Sequence, residues 1–330
     1  MRILIVKPSS LGDVVHALPT VARIRKKFPD AHIAWLVNDN LVPLLERTPV
    51  INEIIPFYRQ QLTKFPIHLK QLRAGKFDLV VDLQGLLRSG VMTFATLAPR
   101  RVGLSDAREG ARMFYNETVA VPRIHAVDRY LLAATHLGCT DTAIEFPLGI
   151  PPISNLKSQI SNLPIAINPS ARWTTKLWSD DKFAELIRRL PRERVILTGS
   201  ANDRDRIEKI LGGTRGACAE PRSVASDAPC NLAGKTGLLQ LAELYSRCAL
   251  VITNDSGPMH IAAAVGTPVV AIFGPTDPTL TGPYGKQHTI VRAGANCSPC
   301  LKKRCNHRPP MECMDKITVE QVHAAAAKYL

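Results

Sequence analysis

Residues 254–260 have the sequence Asn-Asp-Ser-Gly-Pro-Met-His and lie between two apolar runs, residues 249–252 and 269–274. A small-residue segment of helix length separates this turn from the second run. The pattern predicts a strand–helix–strand unit with a polar turn after its first strand. Ligands of parallel sheets bind outside the carboxyl ends of the strands, where a starting helix points unpaired N–H groups at them. The turn therefore predicts a site for a phosphate-bearing ligand.

An ordinary helix cap is the competing interpretation of this turn, because Asp255 and Ser256 are common N-cap residue types. Two neighbouring residues favour a ligand. Gly257 lets a ligand approach the backbone closely, and His260 adds a hydrogen-bond donor one turn into the helix.

Length and composition describe a globular protein of two domains. The chain has 330 residues, a hydrophobic content of 45% and a mean hydropathy near zero. No apolar run is long enough to span a bilayer, and the apolar start at residues 1–7 is too short for the core of a signal peptide. We therefore expect a cytoplasmic protein whose cysteines are reduced thiols.

The net charge is +14, from 42 basic and 28 acidic residues. Such an excess favours an anionic partner, which would be nucleic acid, an acidic lipid surface or a negatively charged substrate. Aromatic residues make up only 5% of the chain, and no basic run alternates with them. Single-stranded nucleic acid is therefore the least favoured of the three, and no nucleic-acid partner is expected.

Apolar runs of strand length alternate with helix-length segments, which predicts an α/β protein with parallel sheets covered on both faces. Residues 2–6 lead through a polar Pro-Ser-Ser-Leu-Gly-Asp turn into a helix, and residues 164–170 again give a strand followed by a Pro-Ser turn. Further strands are predicted within residues 32–37, 50–56, 77–83 and 194–200, and helices at residues 181–190, 203–211 and 317–330.

A segment rich in Pro, Ser and Asn, residues 147–164, lacks periodicity and marks the domain boundary. We place a linker at residues 151–163, between a first domain of residues 1–150 and a second of residues 164–330. Because both domains begin with the same order of elements, they are predicted to be Rossmann-like domains with mostly parallel sheets that face each other across a cleft.

Four motifs resemble those of a known family. They are residues 7–19 (KPSSLGDVVHALP), residues 82–86 (DLQGL), residues 168–170 with Lys176 and Trp178, and residues 254–260. Together they resemble the ADP-heptose:lipopolysaccharide heptosyltransferases of glycosyltransferase family 9, and the first motif is most similar to heptosyltransferase I. The resemblance covers nearly the whole chain and keeps the order of the motifs.

The resemblance implies a GT-B fold, in which the carboxyl-terminal domain binds the nucleotide sugar and the amino-terminal domain binds the acceptor. It also implies inverting transfer of heptose from ADP-heptose to a Kdo sugar of lipid A, in lipopolysaccharide inner-core synthesis, with no cofactor or metal required for catalysis. We expect the protein to work at the cytoplasmic face of the inner membrane in peripheral contact with it, since positive charge favours an anionic glycolipid in an anionic leaflet.

The resemblance implies that Asp13 is the catalytic base that accepts the proton of the acceptor hydroxyl. Its position at a helix start would stabilise the carboxylate and keep its pKa low. The competing interpretation is a simple helix cap, and His16, one turn further along, is a rival base.

Residues of both domains are expected to bind the donor. Lys176, the turn at Ser256 and Gly257, and His260 would contact the diphosphate, although Lys176 is also consistent with an exposed loop lysine. Asp203 would bind ribose or else start a helix, and Thr236 would contact adenine. The full predicted set is Ser10, Gly12, Ser170, Lys176, Asp203, Thr236, Asp255, Ser256, Gly257 and His260.

Basic residues crowd between residues 59 and 123, and several follow predicted strand ends. They predict a binding site for the carboxylates or phosphates of the acceptor. For any single one of these basic residues, an exposed position in solvent is an equally good explanation. The predicted acceptor-binding residues are Arg59, Lys64, Arg88, Arg101 and Arg112.

A cluster of cysteines near the carboxyl terminus fits a structural zinc site, because a C-x2-C pair with two further cysteines can bind zinc tetrahedrally. Disulfide-linked or merely buried cysteines are the alternative. The four candidate ligands are Cys297, Cys300, Cys305 and Cys313, with His307 among them in sequence.

Two other functions stay open. One is a family 9 glycosyltransferase that uses another nucleotide sugar or a later core heptose acceptor. The other is a basic nucleotide- or nucleic-acid-binding module without transferase activity, which would bind nucleic acid with a steep dependence on salt.

Overall fold

The structure is a computed structural model that describes residues 1–150, 163–212 and 229–330. The chain forms two compact units, residues 1–149 and 150–330, called here the amino-terminal and carboxyl-terminal units. The predicted linker at residues 151–163 lies, apart from its last residue, outside the described residues.

The amino-terminal unit is one six-stranded parallel sheet flanked by helices, with strand order β3-β2-β1-β4-β5-β6. Its strands are β1 Arg2–Val6, β2 His32–Asn38, β3 Glu53–Phe57, β4 Leu79–Asp82, β5 Arg100–Leu104 and β6 Glu117–Val119. Its helices are α1 Leu11–Lys27, α2 Val42–Leu45, α3 Phe65–Ala74, α4 Leu87–Ala95 and α5 Ala126–His136.

The carboxyl-terminal unit has a second six-stranded parallel sheet, ordered β12-β11-β10-β7-β8-β9. Its strands are β7 Ile165–Asn168, β8 Val195–Leu197, β9 Cys230–Asn231, β10 Leu250–Asn254, β11 Val269–Phe273 and β12 Thr289–Arg292. Its helices are α6 Asp180–Arg189, α7 Arg204–Ile210, α8 Leu238–Ser246, α9 Gly257–Ala264, α10 Pro278–Thr281, α11 Glu312–Asp315 and α12 Val319–Ala326.

The central strands form because their residues are apolar without interruption, as expected where helices cover both faces of a parallel sheet. Every residue of β4, β7, β10 and β11 is buried, and so are Ile3 to Val6 of β1.

Counted within each unit, both sheets have the strand order 3-2-1-4-5-6. In this topology the order reverses between the first and fourth strands, which is where ligands bind. Those pairs are β1 and β4 in one unit and β7 and β10 in the other.

The predicted fold class, an α/β protein built from two Rossmann-like domains, is confirmed. The third predicted strand is shifted and spans Glu53–Phe57, and the predicted terminal helix begins at Val319 and ends in a 3-10 turn at Ala327–Tyr329. No helix among the described residues is both long and apolar enough to cross a bilayer.

Candidate active site

Asp13 lies in the first turn of α1, at the carboxyl edge of the amino-terminal sheet. Ser10 is the N-cap residue of this helix, and its backbone N–H and its hydroxyl both donate to Asp13 Oδ2, at 2.9 and 2.7 Å. The second carboxylate oxygen, Oδ1, accepts a hydrogen bond from the Tyr130 hydroxyl at 3.1 Å. Because a carboxylate oxygen has two acceptor positions, Oδ1 can still accept a proton from a substrate hydroxyl.

Lys7 lies beside this carboxylate at the end of β1 and is 2% exposed. Its ammonium donates to the carbonyl oxygen of Leu83 at 3.0 Å and lies 4.8 Å from the centre of the Tyr130 ring. Arg129 covers the same ring at 5.1 Å and is held by a bidentate pair with Asp106, both bonds at 2.6 Å. Asp13 therefore lies in a strongly positive environment.

This environment determines the acidity of Asp13. Removal of water by the surrounding protein would by itself raise its pKa, but the Lys7 charge, the two hydrogen bonds from Ser10 and the nearby His16 outweigh it. Together they hold the pKa of Asp13 well below its usual range. Burial in turn lowers the pKa of Lys7, against the charge of Asp13. Asp13 is thus a carboxylate at any physiological pH.

Asp203 shows which part of this arrangement is ordinary capping. Ser200 donates its N–H and its hydroxyl to Asp203 Oδ2 at 2.8 and 2.6 Å, which is the same local geometry as at Ser10 and Asp13. At Asp203 no buried lysine or tyrosine hydroxyl is among the hydrogen-bond partners that the described residues provide. The cap is therefore common to both aspartates, and Lys7 and Tyr130 distinguish Asp13.

The rival base His16 is buried. Its side chain is 3% exposed, and its ring meets that of His125 edge to face, with centroids 5.3 Å apart. Asp13 is the more accessible of the two groups, since its side chain is only partly buried.

The loop after β4 completes this edge of the sheet. Asp82 accepts the N–H groups of Gln84 and Gly85 at 2.8 and 3.1 Å and the Tyr115 hydroxyl at 2.8 Å. Burial raises the pKa of Asp82, and these hydrogen bonds oppose that shift. The Gln84 side chain accepts from the N–H of Ser9 at 3.2 Å, so this loop is fixed against the loop that carries Asp13.

In the carboxyl-terminal unit, the polar turn at residues 254–257 connects strand β10 to helix α9, as predicted. Asp255 is 4% exposed, and its Oδ2 accepts from the Thr276 hydroxyl at 2.5 Å and pairs with Lys176 Nζ at 2.6 Å. Ser256 is the N-cap residue of α9, and Gly257 is its first residue, both partly exposed. His260 lies one turn further along and is 7% exposed.

Lys176 is positioned from two sides. Its ammonium lies between the Asp255 carboxylate and the Trp173 ring, whose centre is 4.7 Å away. The Lys176 side chain is 17% exposed. An ammonium has three donors, so Lys176 can hold Asp255 and still donate to an oxygen of a ligand.

Two asparagines connect the loops at the strand-order reversal. Asn254, the last residue of β10, accepts the N–H of Trp178 at 3.2 Å and donates to the carbonyl of Pro169 at 2.6 Å. Asn168, the last residue of β7, accepts the N–H of Ser170 at 3.2 Å. The motifs at residues 168–178 and 254–260 are therefore one hydrogen-bonded unit.

The other residues that were predicted to bind the nucleotide-sugar donor are more dispersed. Ser170 follows β7, Thr236 lies partly exposed in the loop before α8, and Asp203 is occupied by the cap described above. Ser10 and the buried Gly12 belong to the Asp13 turn in the amino-terminal unit.

Three predicted acceptor residues lie around the end of β3. The Arg88 guanidinium lies 5.9 Å from the ring centre of Phe57, the last residue of β3, and Arg59 follows two residues later. Lys64 lines a cavity of ≈ 400 Å³ whose wall also includes Phe57 and His68. Of these three basic residues, Lys64 is the one that lines this cavity.

Arg101 is different, because it lies at the amino end of β5, away from the edge of the sheet that carries Asp13. Its guanidinium donates to the carbonyls of Phe114 and Ala98 at 3.0 and 2.7 Å. Arg101 therefore does not lie at the carboxyl ends of the strands, where the sequence predicted the acceptor-binding basic residues. Arg112 is exposed in the 3-10 turn Ala111–Phe114.

The four candidate cysteine ligands, Cys297, Cys300, Cys305 and Cys313, are free thiols. The prediction of reduced thiols is wrong for Cys230, which is disulfide-bonded.

Comparison with known proteins identifies the family and the fold of the chain. A profile of the family described as glycosyltransferase family 9 (heptosyltransferase) matches residues 67–310. The chain is 29% identical to lipopolysaccharide heptosyltransferase 1 of Pseudomonas aeruginosa, over 94% of this chain and 89% of that protein. It is 30% identical to lipopolysaccharide heptosyltransferase 2 of Escherichia coli K12, over 88% of each. The solved structure of E. coli ADP-heptose LPS heptosyltransferase II superposes with a TM-score of 0.77 at 25% identity, covering 100% of this chain and 98% of that one.

The two sheets of strand order 3-2-1-4-5-6 are the Rossmann-like domains of a GT-B fold, which the chain shares with the superposed heptosyltransferase II structure. The chain is a glycosyltransferase and belongs to glycosyltransferase family 9, the heptosyltransferases.

Proposed function

We propose that the protein transfers heptose from ADP-heptose to a Kdo sugar of lipid A, with inversion at the anomeric carbon, in lipopolysaccharide inner-core synthesis. The observation that carries this proposal is the Asp13 carboxylate, ionised by Lys7 and Ser10 and keeping Oδ1 available to a substrate hydroxyl. The similarity to heptosyltransferases supports the donor and the acceptor class.

In the proposed mechanism, the acceptor hydroxyl attacks the anomeric carbon as the bond to the ADP phosphate breaks. Asp13 Oδ1 accepts the hydroxyl proton. Its low pKa makes it a weak base at the start, so the transfer completes only as the new bond develops and the hydroxyl becomes acidic. Asp13 then returns the proton to water.

The departing ADP gains negative charge, which the carboxyl-terminal unit can stabilise. The Lys176 ammonium, the N–H groups at the start of α9 and the neighbouring Ser256 hydroxyl are donors suited to diphosphate oxygens. Pro258 has no N–H, so Gly257 and Met259 supply the backbone donors in this first turn. No metal takes part in this mechanism.

The test is transfer by the purified full-length chain. We expect ADP release and a mass increase of one heptose when ADP-heptose is supplied with Kdo-bearing lipid A. The same assay with an acceptor that already carries the first heptose distinguishes a first from a later transferase.

A thermal-shift panel of ADP-, UDP- and GDP-sugars identifies the nucleotide, because a ligand of the native state raises its stability. Steeply salt-dependent nucleic-acid binding without sugar transfer would contradict the proposal.

We also propose that the amino-terminal unit contacts the cytoplasmic face of the inner membrane through a surface made by α3, α4 and the 3-10 turn Ala111–Phe114. This surface carries four apolar side chains that are at least half exposed. They are Ile67 (57%), Phe94 (50%), Leu97 (52%) and Met113 (79%). The same three segments and the residues next to them carry the exposed basic residues Lys64, Lys70, Arg73, Arg88 and Arg112. Apolar side chains among basic ones suit an anionic bilayer.

For this surface we expect Met113→Asp to reduce cosedimentation with phosphatidylglycerol vesicles by about tenfold, since about 1 kcal/mol or more is lost when an apolar contact becomes a repelled charge. The control is Ile144→Asp, which changes an exposed apolar residue of the same unit. Binding should also fall in 0.5 M salt and be weak with neutral phosphatidylcholine vesicles. Equal loss in both variants would contradict the assignment of the surface.

A further inference from the structure

The cavity of ≈ 400 Å³ beside strand β3 contains side chains that the proposed reaction does not use. It is formed by the last residues of β3, the first two turns of α3 and the loop between them. A cavity of this volume falls in the range of small-molecule sites, which are about 300–1,000 Å³ and mostly apolar. Six of its lining residues are apolar or aromatic, namely Ile55, Pro56, Phe57, Tyr58, Phe65 and Ile67. The cavity therefore suits an apolar group of a ligand.

The apolar wall of this cavity extends from the protein core to the surface. Phe57 is 4% exposed and belongs to the hydrophobic core on this face of the sheet, and the Phe65 ring meets it edge to face with centroids 6.2 Å apart. Tyr58 and Ile67 are exposed. Ile67 is also part of the surface for which we propose membrane contact, so an apolar chain from a bilayer can enter the cavity along apolar side chains.

His68 is the buried polar residue among those that line the cavity, and it is 8% exposed. Its Nε2 is buried and meets no hydrogen-bond partner among the described residues. Burial lowers the pKa of His68, and the Gln71 side chain opposes this shift, so the ring is largely neutral at neutral pH. An unpaired buried nitrogen costs free energy, and the ester or hydroxyl group of a ligand would pair with it.

Two cations lie next to the apolar wall. Lys64 lines the cavity, and the Arg88 guanidinium lies 5.9 Å from the ring centre of Phe57. Both side chains are exposed, and neither forms an ion pair with a residue that the structure describes. Unpaired cations beside an apolar cavity favour an anionic group that is attached to an apolar chain. The cavity and its cations therefore fit an anionic lipid.

The position of the cavity relates it to the proposed base. Phe57 is the last residue of β3, Asp13 follows the carboxyl end of β1, and strand β2 lies between these two strands. Neighbouring strands are about 4.8 Å apart, so the two positions are separated by about 10 Å across the sheet. The acceptor class proposed above carries its acyl chains beyond the sugar that reacts. One such ligand can place its hydroxyl at Asp13 and a chain in the cavity.

We propose that this cavity binds one acyl chain of the glycolipid acceptor, with the polar linkage of the chain at His68 and an anionic group of the lipid at Lys64 and Arg88. The inference rests on the proposed function, because it assigns a second contact region to the same acceptor. An acyl chain binds equally well before and during the transfer. It therefore lowers the KM for the acceptor and leaves kcat unchanged.

The first test measures lipid binding without any transfer. We expect calorimetry on the full-length chain to show one molecule of lauroyl lysophosphatidic acid bound per chain, below the micellar concentration of this lipid. In a series of shorter chains, affinity should rise by about two- to fourfold per methylene until the cavity is filled. Glycerol 3-phosphate, which has the anionic group but no chain, should bind at least about tenfold more weakly.

Three variants test where the chain binds. Gln61→Trp places a large ring at an exposed residue of the cavity wall and should weaken lysophosphatidic acid binding by about tenfold or more. The matched control is Gln60→Trp, which adds the same ring at the neighbouring exposed position outside the wall and should bind as the wild type does. His68→Leu should weaken binding by about three- to tenfold, from the loss of one hydrogen bond.

Two results of these measurements would overturn the proposal. One is equal affinity of the Gln60→Trp and Gln61→Trp variants, which would mean that the chain binds elsewhere. The other is equal affinity of the wild type for glycerol 3-phosphate and lysophosphatidic acid, which would leave an anion site only.

The second test compares transfer to Kdo-bearing lipid A with transfer to the same acceptor after full deacylation. In the wild type, the KM for the acylated acceptor should be lower by about tenfold or more at similar kcat, and Gln61→Trp should bring the two KM values together. Transfer with equal KM for both acceptors in the wild type would overturn this inference alone. Absence of transfer to both acceptors, with lysophosphatidic acid still bound, would instead refute the proposed function and with it the acceptor as the source of the chain.

Discussion

Asp13→Asn is expected to lower the rate constant for heptose transfer by about 10²–10⁴-fold, the range typical of a positioned general base. The amide keeps the shape of the carboxylate, and its single carbonyl oxygen can still accept from Ser10. Its NH2 group faces Tyr130 as a donor, and the amide cannot take a proton from the acceptor. The measurement is kcat with saturating ADP-heptose and acceptor. Donor affinity, measured by calorimetry with ADP, should change little.

The pH dependence of this reaction follows from the low pKa of Asp13. A base whose pKa is held below its usual range remains ionised through the whole neutral region, so kcat/KM should show no acid limb from Asp13 above about pH 4, its ordinary value. The same depressed pKa contributes stability that is complete above about pH 4 and is lost as pH falls toward the folded-state value. An acid limb near pH 6.5 that persists in Asp13→Asn would instead identify a histidine as the base.

Two comparisons separate a catalytic from a structural effect. Asp30→Asn removes an exposed carboxylate from the turn before β2, at the opposite edge of the same sheet, and should leave kcat unchanged. Tyr130→Phe keeps Asp13 but removes its hydrogen bond at Oδ1, so a modest loss of about three- to tenfold is expected from one hydrogen bond. Wild-type kcat in Asp13→Asn would refute the assignment of the base.

The central strands and the site turns were predictable because they obey local rules. Apolar runs such as β1 and β10 have no alternation, which is typical of strands buried on both faces, and polar turns at their carboxyl ends predict ligand sites. The strands β5, β6, β9 and β12 were not predicted. β5 begins with two arginines, and β6 and β9 have only three and two residues, so no periodicity can identify them.

The environment of Asp13 could not be read from the sequence, because it depends on contacts between distant residues. Tyr130 lies 117 positions from Asp13, and Lys7 approaches Leu83 across 76 positions. Similarly, sequence reasoning left open whether Asp203 binds ribose or caps a helix, and the structure shows its Oδ2 engaged by Ser200. Spacing predicts which residues share an edge of a sheet, whereas the side chains that tune a carboxylate depend on tertiary packing.

The second large effect is expected at Lys176, where Lys176→Met should weaken ADP binding by about 10–100-fold, as expected for losing a hydrogen bond to a charged group, and lower kcat by about 10²-fold. The ammonium is the cation nearest to the turn at Asp255 among the described ion pairs, and the departing ADP adds negative charge at this turn. As a control, Lys182→Met removes a lysine of the same unit whose ammonium donates to the carbonyls of Asp315 and Ile317. It should leave ADP affinity unchanged.

Among the described residues, loss of Lys176 also leaves the buried Asp255 carboxylate with the Thr276 hydroxyl as its remaining side-chain partner, and breaking a buried pair costs about 3–5 kcal/mol. A drop in melting temperature alone would therefore not establish a role in binding. The double variant Lys176→Met with Asp255→Asn removes the unpaired charge and should recover most of the stability. If Lys176 serves the diphosphate, ADP affinity and kcat stay low in this variant. If Lys176 only neutralises Asp255, both match the values of the single variant Asp255→Asn, and the assignment of Lys176 to the leaving group is wrong.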